Sequence, residues 1–237
     1  MLERIRKALA SSGEPKGAQR SGVISAPLGD VMPRIAAPEL AANFQAELEA
    51  VGGKFHHAST AAELDEVLRS ICASARARAA VLSRNPLLDE LKIAARLESL
   101  EIKVTAWEAP QSDAARAAYR AECFAADIGV TGVDFALAET GSLIVTSHAE
   151  GSQLASLAPP VHLALFRRAQ LRASLDEVLA GLYAPASAGD SPEGRSMVFV
   201  TGTSRTADIE QQLVRGVHGP REMYVILTED DLQISAG

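Results

Sequence analysis

The sequence predicts an α/β protein with a mainly parallel sheet that is covered by helices on both faces. From Pro38 onward, short apolar runs alternate with longer segments of helical periodicity, which is the order expected of βαβ units. Two of the runs, 128–130 and 143–145, are bounded by glycine and hydroxyl residues, as buried strands often are. At 237 residues and 47% apolar content, the chain can bury a sizeable core.

Residues 1–34 differ in pattern from the rest of the chain. Residues 1–11 are predicted to form a short amphipathic helix, because Leu2, Ile5 and Leu9 fall on one stripe. Residues 12–34 are rich in Ser, Gly and Pro, which is typical of a linker. An isolated helix this short is marginal in water, so it should dock on its own body or on a partner. We therefore expect an N-terminal arm and linker over 1–34 and a single α/β domain over 35–237.

Local signals mark the boundaries of the remaining elements. Pro38 occupies a first helical position, and capping-box patterns at 60–63 and 174–177 mark two further helix starts. Residues 185–195 have the composition of a polar surface loop. The predicted helices span residues 38–51, 60–71, 86–100, 112–125, 174–181 and 207–215. The predicted strands span residues 55–58, 79–83, 102–107, 128–130, 143–145, 197–201 and 223–227, and residues 163–166 form a further apolar run.

Charge and composition argue against several classes of partner. A net charge of −7 and an aromatic content of 4% make an extended nucleic-acid or anionic-membrane surface improbable. The longest run without Asp, Glu, Lys or Arg, 151–166, is shorter than a membrane span and contains two prolines. The first residues lack the apolar stretch of a secretion signal. We therefore expect a cytoplasmic protein without a transmembrane helix.

The thiols and imidazoles predict that the chain carries no metal or redox cofactor. Cys72 and Cys123 are the two cysteines, and we expect both to be reduced and buried. An iron–sulfur cluster normally needs four thiolates, and the histidines and cysteines lack zinc-ligand spacing. No Gly-x-Gly-x-x-Gly dinucleotide fingerprint occurs either.

Residues 129–147 place three glycines, two carboxylates and several hydroxyls at the end of a predicted strand, where open α/β sheets form binding crevices. Asp134 and Glu139 stand five apart, so each needs a separate role. Glu139 is interpreted as a nucleophile or general base, or alternatively as a carboxylate that fixes the loop by accepting backbone amides. Asp134 is expected to cap the short segment 135–138.

A second informative stretch is 199–220. Here a strand passes through Gly202 and three hydroxyl residues into a predicted helix, whose free amides would form an anion pocket with Arg205. The alternative is that Thr203 or Ser204 only caps the helix while Arg205 pairs with Asp208. His218 is interpreted as a proton carrier or hydrogen-bond donor, or as a structural histidine.

We expect the two glycine-bearing turns to meet at the carboxyl edge of one sheet and to leave room for an anion. The predicted ligand-binding residues are Thr131, Gly132, Asp134, Thr140, Gly141, Gly202, Thr203, Ser204, Arg205, Thr206 and His218. His162, which follows two prolines, is predicted to be a core histidine.

Four motifs in this order resemble the LUD domain: residues 129–143, 157–162, 202–210 and 216–220. The resemblance covers residues 35–230, and the whole chain, including its arm, looks like the lactate utilisation protein C family. One departure is Gln153, where the family pattern would have an arginine, which removes one expected anion contact.

The resemblance implies a Rossmann-like parallel sheet similar to the sugar-phosphate isomerase and CoA-transferase fold. It also implies a role in L-lactate catabolism, as an accessory or subunit protein of a system that oxidises lactate to pyruvate. Iron–sulfur clusters are then expected in two partner proteins and not in this chain. The alternatives are a free-standing enzyme or binding protein for a phosphorylated sugar or CoA thioester using Glu139, and a pure scaffold. The ligand and the oligomeric state stay open.

Overall fold

Six parallel strands form the central sheet. They are β1 (Lys54–Ala58), β2 (Ala79–Leu82), β3 (Lys103–Ala106), β4 (Ile128–Thr131), β7 (Val161–Arg167) and β12 (Glu222–Thr228). Their order across the sheet is β1-β12-β7-β4-β2-β3, and every neighbouring pair is parallel. The predicted parallel sheet is therefore confirmed.

The computed structural model describes residues 35–108, 112–182, 196–209, 212–215 and 218–232. The predicted arm and linker of residues 1–34 and the predicted loop 185–195 lie outside these ranges. The described residues belong to one compact unit that begins at Ile35. Within them, no helix is long and apolar enough to cross a membrane.

Eight α-helices occur in the described ranges. They are α1 (Leu40–Ala50), α2 (Ala61–Ala75), α3 (Pro86–Glu90), α4 (Ile93–Glu98), α5 (Asp113–Ala125), α6 (Ser147–Glu150), α7 (Leu154–Leu157) and α8 (Leu175–Leu182). The expected cap of α2 is present, because Thr60 Oγ1 accepts the Glu63 amide at 3.2 Å. The Glu63 carboxylate reaches one residue further back than a standard capping box and accepts the Ser59 amide at 2.7 Å.

Alternate side chains of the parallel strands pack on opposite faces of the sheet. On β7, Leu163 and Leu165 join a core formed with α2, α3 and α4, whereas Ala164 and Phe166 join a core formed with α1. A smaller cluster around Tyr119 packs α5 and α7 against β2. Helices thus cover both faces, as predicted.

A second, four-stranded sheet was not predicted. It contains β5 (Phe135–Leu137), β6 (Ser142–Thr146), β8 (Leu171–Arg172) and β9 (Met197–Val200), in the order β8-β5-β6-β9. Its pairs are antiparallel except that between β5 and β8. The sheet packs Val133, Ala136 and Leu143 into the core that contains α1.

The predicted helix 207–215 is wrong. The chain forms β10 (Arg205–Ile209) and β11 (Gln212–Arg215), which pair antiparallel. The helix prediction rested on residue preference, which is a weak determinant that backbone pairing readily overrides. The anion pocket that depended on that helix's N-terminus therefore has no helix to supply it.

The predicted helix 86–100 is divided into α3 and α4. Lys92, between them, has a left-handed φ of 49°. A residue in this conformation interrupts the i to i−4 hydrogen-bond ladder, so a single continuous helix cannot form.

Gly129 allows α7 to pack closely on β4. A Cβ at this position would lie 1.7 Å from the Ala155 carbonyl oxygen and 2.9 Å from Pro159 Cγ. We expect Gly129→Ala to lower the free energy of unfolding by about 1–3 kcal/mol, because the helix must move away from the strand. Urea denaturation provides the measurement. Gly219→Ala is the control, since its Cβ would meet nothing nearer than Ser204 at 3.4 Å. Equal stability of the two variants would contradict this account.

Candidate functional site

The chain reverses its direction of travel across the parallel sheet between β2 and β4. From β2 it continues through α3 and α4 to β3 at one edge, whereas from β4 it continues towards β7 on the other side. The two connections pack on opposite faces, α3 and α4 on one and α7 on the other. A crevice is expected at the carboxyl ends of strands at such a switch point. Residues 83–85 and 132–134 border it.

A buried carboxyl group, Glu150, lies at this switch point. Its side chain has no exposed surface. Asn85 Nδ2 donates a short hydrogen bond to Oε1, and the Arg84 amide donates to the Glu150 carbonyl at 3.0 Å. Oε2 has no hydrogen-bond partner among the described residues. A buried polar atom without a hydrogen-bond partner indicates either a position where a water molecule, ion or ligand binds, or a local energetic penalty.

Burial raises the pKa of Glu150 above its ordinary value, because the charged form loses its hydration. The negative charge of Asp134 adds to the rise. The hydrogen bond from Asn85 and the nearby backbone amide of Gly132 oppose it. The Ser83 hydroxyl also lies close enough to oppose the shift, although it makes no hydrogen bond of regular geometry. The neutral carboxylic acid is thus favoured relative to an exposed glutamate.

Asn85 holds two parts of the site together. Its Oδ1 caps α3 by accepting the Leu87 amide at 3.0 Å, and its Nδ2 binds Glu150. The side chain is 6% exposed. A Cβ on Gly132 would lie 2.1 Å from Asn85 Cγ, so only glycine permits this approach. The predicted importance of Gly132 thus has a steric explanation at the switch point.

Trp107 packs against Gly151, the residue that follows Glu150 in the chain. Gly151 has a φ of 72°, and a Cβ there would lie 2.2 Å from Trp107 Nε1. The indole packs edge-on against Tyr119 with ring centroids 4.8 Å apart. Because the chain contains a single tryptophan, its fluorescence reports on this region alone.

Thr131 connects the crevice to the core. Its Oγ1 lies 2.9 Å from Nε2 of His162, which is fully buried, as predicted for a core histidine. Burial lowers the pKa of His162 to about 4, so the imidazole is neutral near pH 7. Its Nδ1 has no hydrogen-bond partner among the described residues.

The prediction that Asp134 caps the segment 135–138 is wrong, because that segment contains β5 rather than a helix. Asp134 Oδ2 accepts the Thr146 amide at 2.7 Å, and Oδ1 accepts the Thr146 hydroxyl at 3.3 Å. The carboxylate therefore ties the beginning of β5 to the end of β6.

Glu139 lies in the turn between β5 and β6, and its carboxylate accepts a backbone amide, which is the alternative in which it fixes the loop. Oε1 accepts the Leu175 amide at 2.7 Å, at the start of α8. A carboxylate in this position satisfies a free helix N-terminal amide and favours the helix dipole.

Thr140 and Gly141 lie away from the switch point. Thr140 Oγ1 donates to Ser142 Oγ at 2.8 Å, and Ser142 Oγ lies 2.6 Å from Thr201 Oγ1. A Cβ on Gly141 would lie 2.2 Å from the Leu48 amide nitrogen. These residues therefore pack against the last turns of α1.

The turn at 202–206 lies at the amino edge of the parallel sheet. Gly202 packs on Val51, which follows α1. A Cβ on Gly202 would lie 2.5 Å from the Val51 carbonyl oxygen. The Ser204 amide donates to Pro220 at 3.0 Å, immediately before β12. Thr203 is buried, and His218 is exposed in the same region. Arg205 and Thr206 begin β10.

The expectation that both turns meet at the carboxyl edge is therefore wrong. Thr131, Gly132 and Asp134 follow the carboxyl end of β4, whereas the 202–206 turn precedes β12 in space. The antiparallel pairing of β6 with β9 brings Thr201 beside Ser142, and Gly141 packs on Leu48 of α1 while Gly202 packs on Val51 just after it. The described residues predicted to bind the ligand are thus divided between the two edges of the parallel sheet.

Sequence reasoning missed Ser83, Asn85 and Glu150. A usable signal existed for the first two, because Ser83 ends a predicted strand and Asn85 precedes a proline, as a helix cap does. Glu150 offered no such signal. Its burial depends on Asn85, which is 65 positions away in the chain.

The two thiols lie in different core clusters. Cys72 and Cys123 are free and buried, as predicted. Burial raises the pKa of the Cys72 thiol to about 11 and also raises that of Cys123, so both stay protonated near pH 7. Within the described ranges, no group of three His, Cys, Asp or Glu side chains could hold a metal ion.

Glu150→Gln tests the buried acid. With its pKa raised in the folded state, wild-type Glu150 lowers the free energy of unfolding progressively as pH rises from the unfolded pKa through the folded one. Glutamine keeps the Asn85 contact and does not titrate. We expect the stability of the variant relative to wild type to increase as pH rises, measured by urea denaturation across the acid-to-neutral range. A relative stability that decreases with pH would contradict a raised pKa.

Comparisons with known proteins give the family. The LUD domain family matches residues 41–228. Lactate utilization protein C from Halalkalibacterium halodurans is 29% identical over 70% of each chain, and the protein of that name from Deinococcus radiodurans is 36% identical over 45% of this chain and 49% of its own. The crystal structure of a DUF162 family protein from Deinococcus radiodurans superposes with a TM-score of 0.55 at 26% identity, covering 82% of this chain and 99% of that one. The family match spans both the parallel sheet and the switch point, and the chain belongs to the LUD domain family.

Proposed function

We propose that this protein takes part in lactate utilisation, as an accessory or subunit protein of a system that oxidises L-lactate to pyruvate. The proposal is supported by the family match and by relatives that carry the name lactate utilization protein C. Two partner proteins supply the iron–sulfur clusters of this system. The two cysteines of this chain are buried in separate clusters, which is consistent with electron transfer through other proteins.

The contribution of this chain is to bind a small anion at the switch point. The observation that carries this proposal is the buried Glu150, whose Oε1 is bound by Asn85 while Oε2 has no partner among the described residues. In the neutral acid, Oε1 accepts from Asn85 and the proton resides on Oε2. Oε2 then donates a hydrogen bond to an oxygen of the bound anion.

The protonation state of Glu150 also decides whether this residue repels a bound anion. An ionised Glu150 beside Asp134 would repel an anion, whereas the neutral acid adds a donor and no charge. Ser83 and the backbone at Gly132 border the same position. Thr131, which is hydrogen-bonded to His162, and Asp134 remain among the proposed ligand-binding residues.

The cellular role is tested by deleting the gene in its host. We expect the deletion strain to lose growth on L-lactate and to keep growth on pyruvate, because only the oxidation step requires the protein. Plasmid-borne wild type should restore growth, and Glu150→Ala should restore it poorly. Growth of the deletion strain on L-lactate at the wild-type rate would refute the proposed role.

Binding is tested separately by titrating the purified protein with L-lactate, pyruvate and inorganic phosphate while Trp107 fluorescence is recorded. We expect binding of at least one anion to weaken as pH rises, because the neutral fraction of Glu150 falls. Glu150→Gln, which keeps a donor, should bind with little dependence on pH.

Glu150→Ala should weaken the same binding by about tenfold or more, since a hydrogen bond to a charged group contributes about 1.5–3 kcal/mol. Glu139→Gln is the matched control and should bind as wild type does. The anion site is refuted if none of the three anions changes the fluorescence, or if Glu139→Gln abolishes binding while Glu150→Ala does not.

A further inference from the structure

A cleft with an apolar wall opens at the amino edge of the parallel sheet, at the opposite end of the strands from Glu150. It has a volume of about 450 Å³ and is lined by Phe124, Leu157, Ala158, Pro160, His218, Gly219 and Arg221. Phe124 is 63% exposed and Leu157 is 43% exposed. Of the three large apolar side chains exposed in the described ranges, two therefore lie in this one cleft.

The cleft has a basic rim. The Arg120 guanidinium lies 5.9 Å from the centre of the Phe124 ring, and Arg221 lies on the lining itself. The lining contains no acidic residue among those described. Of the nearby acids, Glu122 pairs with Lys103, and Glu222 pairs with Lys54 while also sensing the charge of Arg221. This basic rim contrasts with the net charge of −7 of the whole chain.

The cleft is preformed by the backbone. The amides of Arg221 and Glu222 donate to the Pro160 carbonyl at 2.8 and 3.2 Å, which fixes the approach of the two loops that precede β7 and β12. Phe124 and Leu157 are held at the ends of α5 and α7, whose packing buries Cys123 and Ala155. A rigid apolar surface binds a partner without the entropy loss of ordering a loop.

We propose that this cleft docks an acidic segment of a partner protein that carries an aromatic or aliphatic anchor residue. The anchor packs on Phe124 and Leu157, and the acidic residues beside it pair with Arg120 and Arg221. Exposed aromatic residues and arginines are the residue types enriched at protein interfaces. The complementarity of charge selects an acidic partner and raises the rate of encounter. Docking here requires neither lactate nor an anion at the switch point.

The experiment uses the full chain and three fluorescein-labelled peptides, with binding followed by fluorescence anisotropy. One peptide is acidic with a central Leu–Phe pair, one is basic with the same pair, and one is acidic with Ala–Ala in its place. We expect the first to bind, with an affinity that falls as salt is added. The other two should bind at least tenfold more weakly.

Two variants test whether the acidic Leu–Phe peptide binds in the cleft. Phe124→Ser and Arg221→Glu should each weaken binding of the acidic Leu–Phe peptide about tenfold. Phe199→Ser and Arg69→Glu are matched controls, because Phe199 is 46% exposed on β9 and the Arg69 side chain is 59% exposed on α2. Both controls should bind as wild type does. Circular dichroism of all four variants should match the wild type.

Three results would overturn the proposal. The first is an absence of binding by the acidic Leu–Phe peptide, and the second is an equal effect of the control variants. The third is a dimer, seen by light scattering at rising protein concentration, that Phe124→Ser dissociates. That result would assign the cleft to a second copy of this chain.

Discussion

The structure around the switch point depends on a carboxyl group that has no contact with water. Glu150 is fully buried, and Asn85 provides a hydrogen bond to only one of its two oxygens. Burial disfavours the ionised form of such a group, so the pKa of Glu150 lies above that of an exposed glutamate. Two glycines accompany this arrangement, since Gly132 leaves room for Asn85 and Gly151 takes a positive φ against Trp107. The capping of α3 by Asn85 fixes the donor that holds the acid in place.

Topology explains why the acid is located here. The chain leaves β2 on one face of the sheet and leaves β4 on the other, so the connections that follow these two strands diverge at their carboxyl ends. Polar residues that follow these strands are therefore brought together without being paired in a ladder. The second sheet returns the chain from β4 to α6, and α6 delivers Glu150 to the same position. The second sheet thus helps to position Glu150, although its turns at 139–141 and 201–204 lie at the amino edge of the parallel sheet.

Local patterns were sufficient to predict the parallel sheet, because most of its strands are short apolar runs that alternate with segments of helical periodicity. They did not reveal the second sheet, since β5 and β8 are too short to show periodicity. The pairing of Ala136 with Leu171 also spans a long stretch of chain. The prediction of a helix over 207–215 failed for another reason. Its residue types favour a helix, whereas β10 and β11 pair as antiparallel strands. At the site, Gly132 was identified from its neighbours, but the burial of Glu150 arises from contacts that no local pattern encodes.

The central claim is that the pKa of Glu150 is raised by burial and that one of its oxygens is available to a ligand. A carbon-13 NMR titration of its side-chain carboxyl, assigned by comparison with Glu150→Gln, measures the ionisation directly. We expect a titration midpoint clearly above the ordinary glutamate value of about 4.3. We also expect the carboxyl signal to shift when the anion that alters Trp107 fluorescence is added. A midpoint at or below the ordinary value, or a signal unaffected by that anion, would contradict the account.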